Sequence, residues 1–248
     1  MQSFSTVMSL ATLALSILVC VRLLIAAFRT KGTPEIAMGT YQLLVVGAIA
    51  LYAALRGYFE ARDYVNAFPW VVLANYMISF GVIALAVGVW RIYRPSQPWA
   101  QQLCAALSLW VLAGCTWTAF GEVLPTTVAP TPANAFFVSG RSAVYLWGSY
   151  EGIRYSRMMR KRGALGLGDP MIAHQILLWG CFSLTMGALA VTSLTAGWVL
   201  REGYTQSVPA QFITPTASFV ASICLWLGFF PPAAYRRLIG ASPSPAAA

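Results

Sequence analysis

Apolar residues run along this chain in seven long blocks, separated by short tracts rich in proline, glycine and charge. The blocks cover about 5–28, 35–58, 67–92, 99–121, 133–155, 170–199 and 209–235, and each reaches the roughly 20 residues that a helix needs to cross a bilayer core. No tract between them is long enough to hold a soluble domain. The longest connections are Gly121–Ala135 and the stretch RYSRMMRKRGALGLGDP, Arg154–Pro170. The pattern predicts an all-α fold: one integral-membrane bundle of seven transmembrane helices over residues 1–240. The closing ASPSPAAA, residues 241–248, is too small and polar to pack and is expected to be a disordered tail.

Prolines support these boundaries independently. A proline suits the first helical position, where its missing N–H would be unpaired in any case. Thr33-Pro34-Glu35 opens the second block and Asp169-Pro170 the sixth, with Asp169 as a candidate N-cap, while Pro98, Pro132 and Pro209 sit at the starts of the fourth, fifth and seventh. The first block lacks a basic leader, runs past Cys20 to Phe28 and has Val19 before the cysteine. It is therefore expected to be a retained first helix rather than a cleaved signal.

Composition narrows the class. The chain is 58% hydrophobic and 9% charged, against about 45–50% and 25% for a soluble domain. The mean hydropathy is +0.68. Such a chain cannot cover a globule with polar surface, and an integral membrane protein, placed here in a bacterial inner membrane, is the expectation.

The net charge is +9, and its distribution matters more than its size. Twelve of the 16 lysines and arginines flank one set of helix ends: Arg22, Arg29, Lys31, Arg91, Arg94, Arg154, Arg157, Arg160, Lys161, Arg162, Arg236 and Arg237. Only Arg56, Arg62 and Arg201 flank the other set. The excess of Lys and Arg on cytoplasmic loops places the N-terminus outside and the C-terminus in the cytoplasm. Arg154, Arg157 and Lys161 follow an i, i+3, i+7 spacing, a basic stripe if the fifth helix continues beyond the membrane. Its expected partners are anionic lipid headgroups at the cytoplasmic face, or an acidic cytoplasmic or membrane protein. Nucleic acid is not expected, because no aromatic residues or folded reader accompany the charge.

Charges inside the blocks need an account, since an arginine near a bilayer centre costs about 2.5–3.5 kcal/mol on insertion scales. Arg141 lies about 12 Å into the fifth helix from Ala133, at about 1.5 Å per residue. Asn75, Tyr76, Trp117, Glu122, Tyr145, Gln211, Thr214 and Thr216 fall at comparable depth on other helices or one turn away. The expected ligand-binding set is Arg141, Glu122, Tyr145, Asn75, Trp117 and Thr214, around a polar pocket open to the outside. Within it Glu122 is the counter-charge of Arg141 and Trp117 offers a cation–π face. Glu151 has Arg154 three residues on, the spacing of a local ion pair. Small residues such as Gly81, Gly88 and Ser183 are expected at tight helix contacts.

Several chemistries fall away. The only lysines, Lys31 and Lys161, lie at block ends, so no retinal Schiff base forms in the seventh helix. The single histidine, His174, cannot supply a di-iron or two-histidine haem site, and Asp63 and Asp169 are the only aspartates. The five cysteines all lie in apolar runs without a C-x-x-C pair and read as packing residues. No metal, no cofactor and no enzymatic activity is expected. The leading expectation is a seven-helix receptor or sensor that signals to a separate partner, followed by a small solute transporter and then an accessory subunit.

PEIAMGTYQLL (Pro34–Leu44) and PMIAHQILL (Pro170–Leu178) both begin Pro-x-Ile-Ala after a basic connection. With seven helices and an outside N-terminus, the layout resembles the three-plus-one-plus-three arrangement of SWEET-type sugar transporters, whose proline-glutamine signature is missing here. That resemblance implies a transporter of small solutes. An odd number of crossings predicts that reporter fusions to the two termini report opposite compartments; the same compartment for both rejects the topology.

Overall fold

The computed structural model describes residues 2–55, 57–58, 61, 63–120, 131–200 and 208–239. Those residues form eight helices and no strand: α1 Gln2–Thr30, α2 Thr33–Ala54, α3 Tyr64–Tyr93, α4 Pro98–Phe120, α5 Pro132–Ala164, α6 Pro170–Leu200, α7 Val208–Phe229 and α8 Ala233–Leu238. Six of them, α1 to α4, α6 and α7, are long and apolar enough to cross a membrane. The chain is thus a helical, multi-pass membrane protein. The remaining long helix, α5, has 33 residues but falls short in average apolarity.

Local chemistry accounts for the helix ends. Asp63 caps α3 by accepting from the Asn66 amide, and Thr131 caps α5 from the Asn134 amide ahead of Pro132. Asp169 accepts from the Met171 amide at 2.7 Å, the cap expected for α6. At α2 the cap position falls on Gly32, with no side-chain bond, and Thr33 begins the helix. The seventh block was expected to run to 235, but α7 ends at Phe229. Pro231-Pro232 cannot continue the hydrogen-bond ladder, and α8 restarts beyond them.

The fifth helix does pass its apolar block, reaching Ala164. It then closes in a Schellman turn: the Leu167 amide donates to the Arg162 carbonyl and the Gly166 amide to that of Gly163, at 2.9 Å each. Gly166 takes φ +73° there, a left-handed conformation that glycine adopts without penalty. The glycines of GALGLG therefore include a helix stop.

The long helices pack as a ring in chain order, each on the next, with α7 returning onto α1 and α3 also touching α5 across the interior. Leu23, Tyr41, Val82, Leu85, Val111, Phe137, Val144, Tyr145, Phe182 and Leu225 are among the residues filling the common core. Ring closure is polar as well as apolar: Ser16 bonds Ser222 at 3.0 Å, and the Arg22 guanidinium lies over the Trp226 and Phe230 rings at 4.8 and 5.7 Å.

Glycines set how closely helices approach. A Cβ on Gly152 of α5 would lie 2.8 Å from the Gly180 Cα of α6, and one on Gly114 of α4 would lie 2.6 Å from the Phe137 Cα of α5. Gly81 and Gly88 do sit at the α2–α3 contact, against the Tyr41 carbonyl and the Ala37 methyl, and Ser183 packs on Gly148. Close backbone approach of this kind is how helices associate where lipid removes the hydrophobic drive.

Because backbone atoms cannot step aside, Gly152→Val is expected to cost at least the ~1–3 kcal/mol of an overpacked core. Gly57→Ala, where a Cβ meets nothing within 4 Å, is the control. Thermal unfolding in mild detergent should separate the two; equal melting points would show that the α5–α6 crossing is not tight.

Candidate functional site

Helix α5 carries the candidate site because of how it distributes its polar residues. Gly140, Ser142, Gly148, Ser149, Glu151 and Gly152 are buried, whereas the exposed positions between 135 and 152 are Phe136, Leu146 and Tyr150. Polar groups turn toward α3, α4 and α6 together with Phe137, Val144 and Trp147, and the positions that face away from the bundle are apolar or aromatic. Arg141, Glu151 and the serines and glycines make α5 less apolar on average than its neighbours, and an average does not record that these groups face inward.

Arg141, half-buried, holds its guanidinium carbon 5.3 Å from the centre of the Phe137 ring one turn earlier. Its Nε is buried without a hydrogen-bond partner, and no carboxylate among the described residues pairs with it. Tyr41 and Tyr52 of α2 and Cys115 of α4 are its ionisable neighbours. Around it lies a small polar layer. The Tyr52 hydroxyl donates to the Asn75 side-chain oxygen at 3.0 Å, and the Ser79 hydroxyl to the Asn75 carbonyl at 2.8 Å. One turn below Arg141, the Tyr145 and Tyr41 hydroxyls share a hydrogen bond of 3.0 Å. Their rings meet edge to face, with Phe182 of α6 5.6 Å from Tyr41.

Of the expected set, Arg141, Tyr145 and Asn75 gather around two tyrosines, Tyr41 and Tyr52, that the sequence analysis did not single out. Their signal was slight: a tyrosine in an apolar helix reads equally well as packing.

Trp117 is elsewhere. It is 47% exposed, lies 5.8 Å from Phe136, and lines a shallow groove of about 710 Å³ with Phe136, Ser139 and Leu194. Two residues turn a helix through about 200°, so buried Cys115 and Trp117 face opposite ways, and the ring under Arg141 is that of Phe137. Thr214, on α7, belongs to the part of the ring that packs on α1 and α6. Glu122 lies outside the described residues, as do the side chain of Gln211 and the tail 241–248.

At the other end of α5 the expected pairing is replaced. Glu151, 2% exposed, receives the Arg94 Nε–H on both carboxylate oxygens, at 3.0 and 3.1 Å. Arg94 follows the end of α3 and also covers the Trp99 ring at 5.6 Å. The hydrogen bond to Glu151 pushes the Arg94 pKa above its ordinary value, so the guanidinium stays charged. Arg154, three residues from Glu151, points outward and is exposed, as are Arg157 and Lys161. A helical i, i+3 pair would have left Glu151 reaching toward solvent; its burial against α3 favours the cross-helix partner. His174 bonds the Tyr235 hydroxyl, tying α6 to α8.

Among the described residues, no three His, Cys, Asp or Glu side chains converge as metal ligands. The chain matches no protein-family model, no curated protein and no solved structure.

Since Glu151 is buried and Arg94 is not, removing the two partners should have unequal effects. Arg94→Ala strands a buried carboxylate and is expected to cost ~3–5 kcal/mol. Glu151→Gln leaves an arginine that reaches water and is expected to cost less than half of that. Denaturation of both variants in detergent tests the order; a larger loss for Glu151→Gln refutes the assignment.

Proposed function

We propose that this chain is a non-enzymatic receptor or sensor module of seven crossings, with α5 as the seventh, that takes up a small anionic ligand at Arg141 from the outer side. The observation behind this reading is the buried Arg141 Nε, which has no hydrogen-bond acceptor and no paired carboxylate among the described residues. A carboxylate or phosphate on a small molecule supplies both the charge and the acceptor that the site lacks, and a guanidinium binds either in a two-pronged geometry. Asn75, Tyr52 and the Tyr41–Tyr145 pair are the neighbouring hydrogen-bonding groups.

The signal would travel along α5 itself, an unbroken helix from Pro132 to Ala164. Thirteen residues, about 20 Å at 1.5 Å per residue, separate Arg141 from Arg154. Movement of one end of a stiff rod therefore appears at the other, where a cytoplasmic protein partner meets the basic segment. The excess of Lys and Arg at that end supports its cytoplasmic placement, with the N-terminus of the chain outside.

The transporter reading rests on the helix layout alone: the small void below Tyr41, between Met38, Gly88, Gly148 and Ser183, has a volume of about 10 Å³, the room of a single water at most. Flux separates the two readings.

Small molecules retained after gentle-detergent purification, identified by mass spectrometry, test the proposal. Wild-type protein should retain an acidic compound, Arg141→Lys should hold it more weakly, and Arg141→Gln should release it. Ligand-free Arg141→Leu should be more stable than wild type by ~1–3 kcal/mol, because the cost of a desolvated arginine is removed. Unchanged retention in Arg141→Gln rejects the site, and substrate flux in proteoliposomes rejects the sensor in favour of a transporter.

A further inference from the structure

The outward face of α5 at its basic end forms a groove of about 510 Å³ lined by Tyr150, Ile153, Arg154, Arg157, Met158 and Lys161. All six belong to one helix, at positions that repeat on one side of it. The other sides are occupied. Gly152 meets Gly180 of α6, the Ser156 hydroxyl donates to the Ala173 carbonyl at 2.7 Å, and Tyr155 packs on Tyr93 of α3 at 5.6 Å. The groove therefore faces away from the bundle.

Its depth follows from Arg94. That residue comes directly after the apolar span Val65–Tyr93 of α3, so its partner Glu151 marks the level at which hydrocarbon gives way to headgroups. The exposed Trp99, in the first turn of α4 and under the Arg94 guanidinium, sits at the same level, as expected of an interfacial aromatic belt. Tyr150, 61% exposed, is one residue from Glu151 and lies at this boundary. Arg154 is one turn further out, within a headgroup layer about 5–8 Å deep. Arg157 and Lys161 start beyond it, and their long stems can bend their charges back. Toward the hydrocarbon the same face continues through exposed Leu146.

Charge decides the occupant. The acid that helical spacing would have given Arg154 is committed to Arg94, and none of the groove residues is acidic. Three cations with an apolar floor, open to the bilayer at headgroup depth, match a phosphate joined to acyl chains. We propose that this groove is a binding site for an anionic glycerophospholipid. Its phosphodiester lies among Arg154, Arg157 and Lys161, and an acyl chain runs past Tyr150 and Leu146. Arg160 and Arg162, on other faces of α5, remain for a protein partner. The site is independent of ligand binding at Arg141.

The test uses the full chain in nanodiscs of phosphatidylcholine containing a minor share of phosphatidylglycerol, with retained lipid quantified by mass spectrometry after detergent extraction. Wild-type protein should enrich phosphatidylglycerol, with enrichment falling as salt rises. Each of Arg154→Gln, Arg157→Gln and Lys161→Gln should lower it about five-fold, the equivalent of ~1 kcal/mol per basic residue, and the triple variant should abolish it. A control triple of equal charge change, Arg29→Gln with Lys31→Gln and Arg237→Gln, should retain the preference, as should Arg154→Lys with Arg157→Lys. Melting curves establish that the variants remain folded, as exposed positions predict. Equal loss in both triples, no preference in wild type, or a co-purifying acidic protein released by the first triple with lipid unchanged would each overturn the site.

Discussion

Everything in this bundle depends on one constraint: α5 carries more polar character than hydrocarbon accepts, so its neighbours must cover it. A serine, a glutamate or an exposed helix carbonyl facing lipid finds no water to bond, and each such group costs several kcal/mol. The ring answers this by placing α4 and α6 on either side of α5 and bringing α3 across the interior to meet it. Covering requires closeness, and closeness comes from the backbone contacts at Gly152–Gly180 and Gly114–Phe137. Only Phe136, Leu146 and Tyr150 are left outward along the middle of the helix, the residue types a lipid-facing stripe tolerates.

The same constraint shapes the interior. Tyr41 reaches from α2 to Tyr145 of α5 and to Phe182 of α6, so helices that are distant in the ring meet through one side chain. A buried hydroxyl needs a partner, and two tyrosines facing one another satisfy a donor and an acceptor without adding charge. Arg141 receives no comparable treatment. It rests on Phe137, and a cation over an aromatic face gains about 0.5–2 kcal/mol, less than its burial costs on the scale of a central arginine. The indole N–H groups of Trp90, Trp147 and Trp179 are also buried without a partner, but they are neutral. Of the two charges that α5 turns inward, Glu151 is paired and Arg141 is not, and that difference is the physical basis for the ligand proposed at Arg141.

Much of the architecture was legible in the sequence. Apolar block length and the prolines at block starts located the long helices to within a few residues, because both report directly on hydrocarbon thickness and on helix N-termini. The exceptions are instructive. The split of the seventh block at Pro231-Pro232 was visible in the residues but outweighed by hydropathy, which averages through a break. Glu151 was matched to Arg154 because spacing along one helix can be read from sequence, whereas the approach of α3 that offers Arg94 cannot. Trp117 was placed beside Arg141 on depth alone; depth is a one-dimensional coordinate, and rotation about the helix axis decided otherwise. Tyr41 and Tyr52 carried no pattern that sets them apart from packing tyrosines.

The two charges that α5 turns toward the bundle, Arg141 and Glu151, are held very differently, and that asymmetry has a mechanical consequence under the proposed reading. At the basic end the helix is clamped three ways: Glu151 to Arg94 of α3, Ser156 to the Ala173 carbonyl of α6, and Gly152 against Gly180. At Arg141 the contact is one ring and a polar layer without an ion pair among the described residues. A rod fixed near one end and loosely held near the other responds to an anion by tilting about the fixed end, not by sliding. Sliding would break two buried hydrogen-bonded contacts and drive backbone into backbone at the glycine crossing. Tilting disturbs chiefly the Tyr41–Tyr145 bond, which sits between the two regions. The segment from Arg157 to Ala164, beyond the pivot, then swings opposite to the Arg141 end, carrying its basic residues with it across the membrane surface.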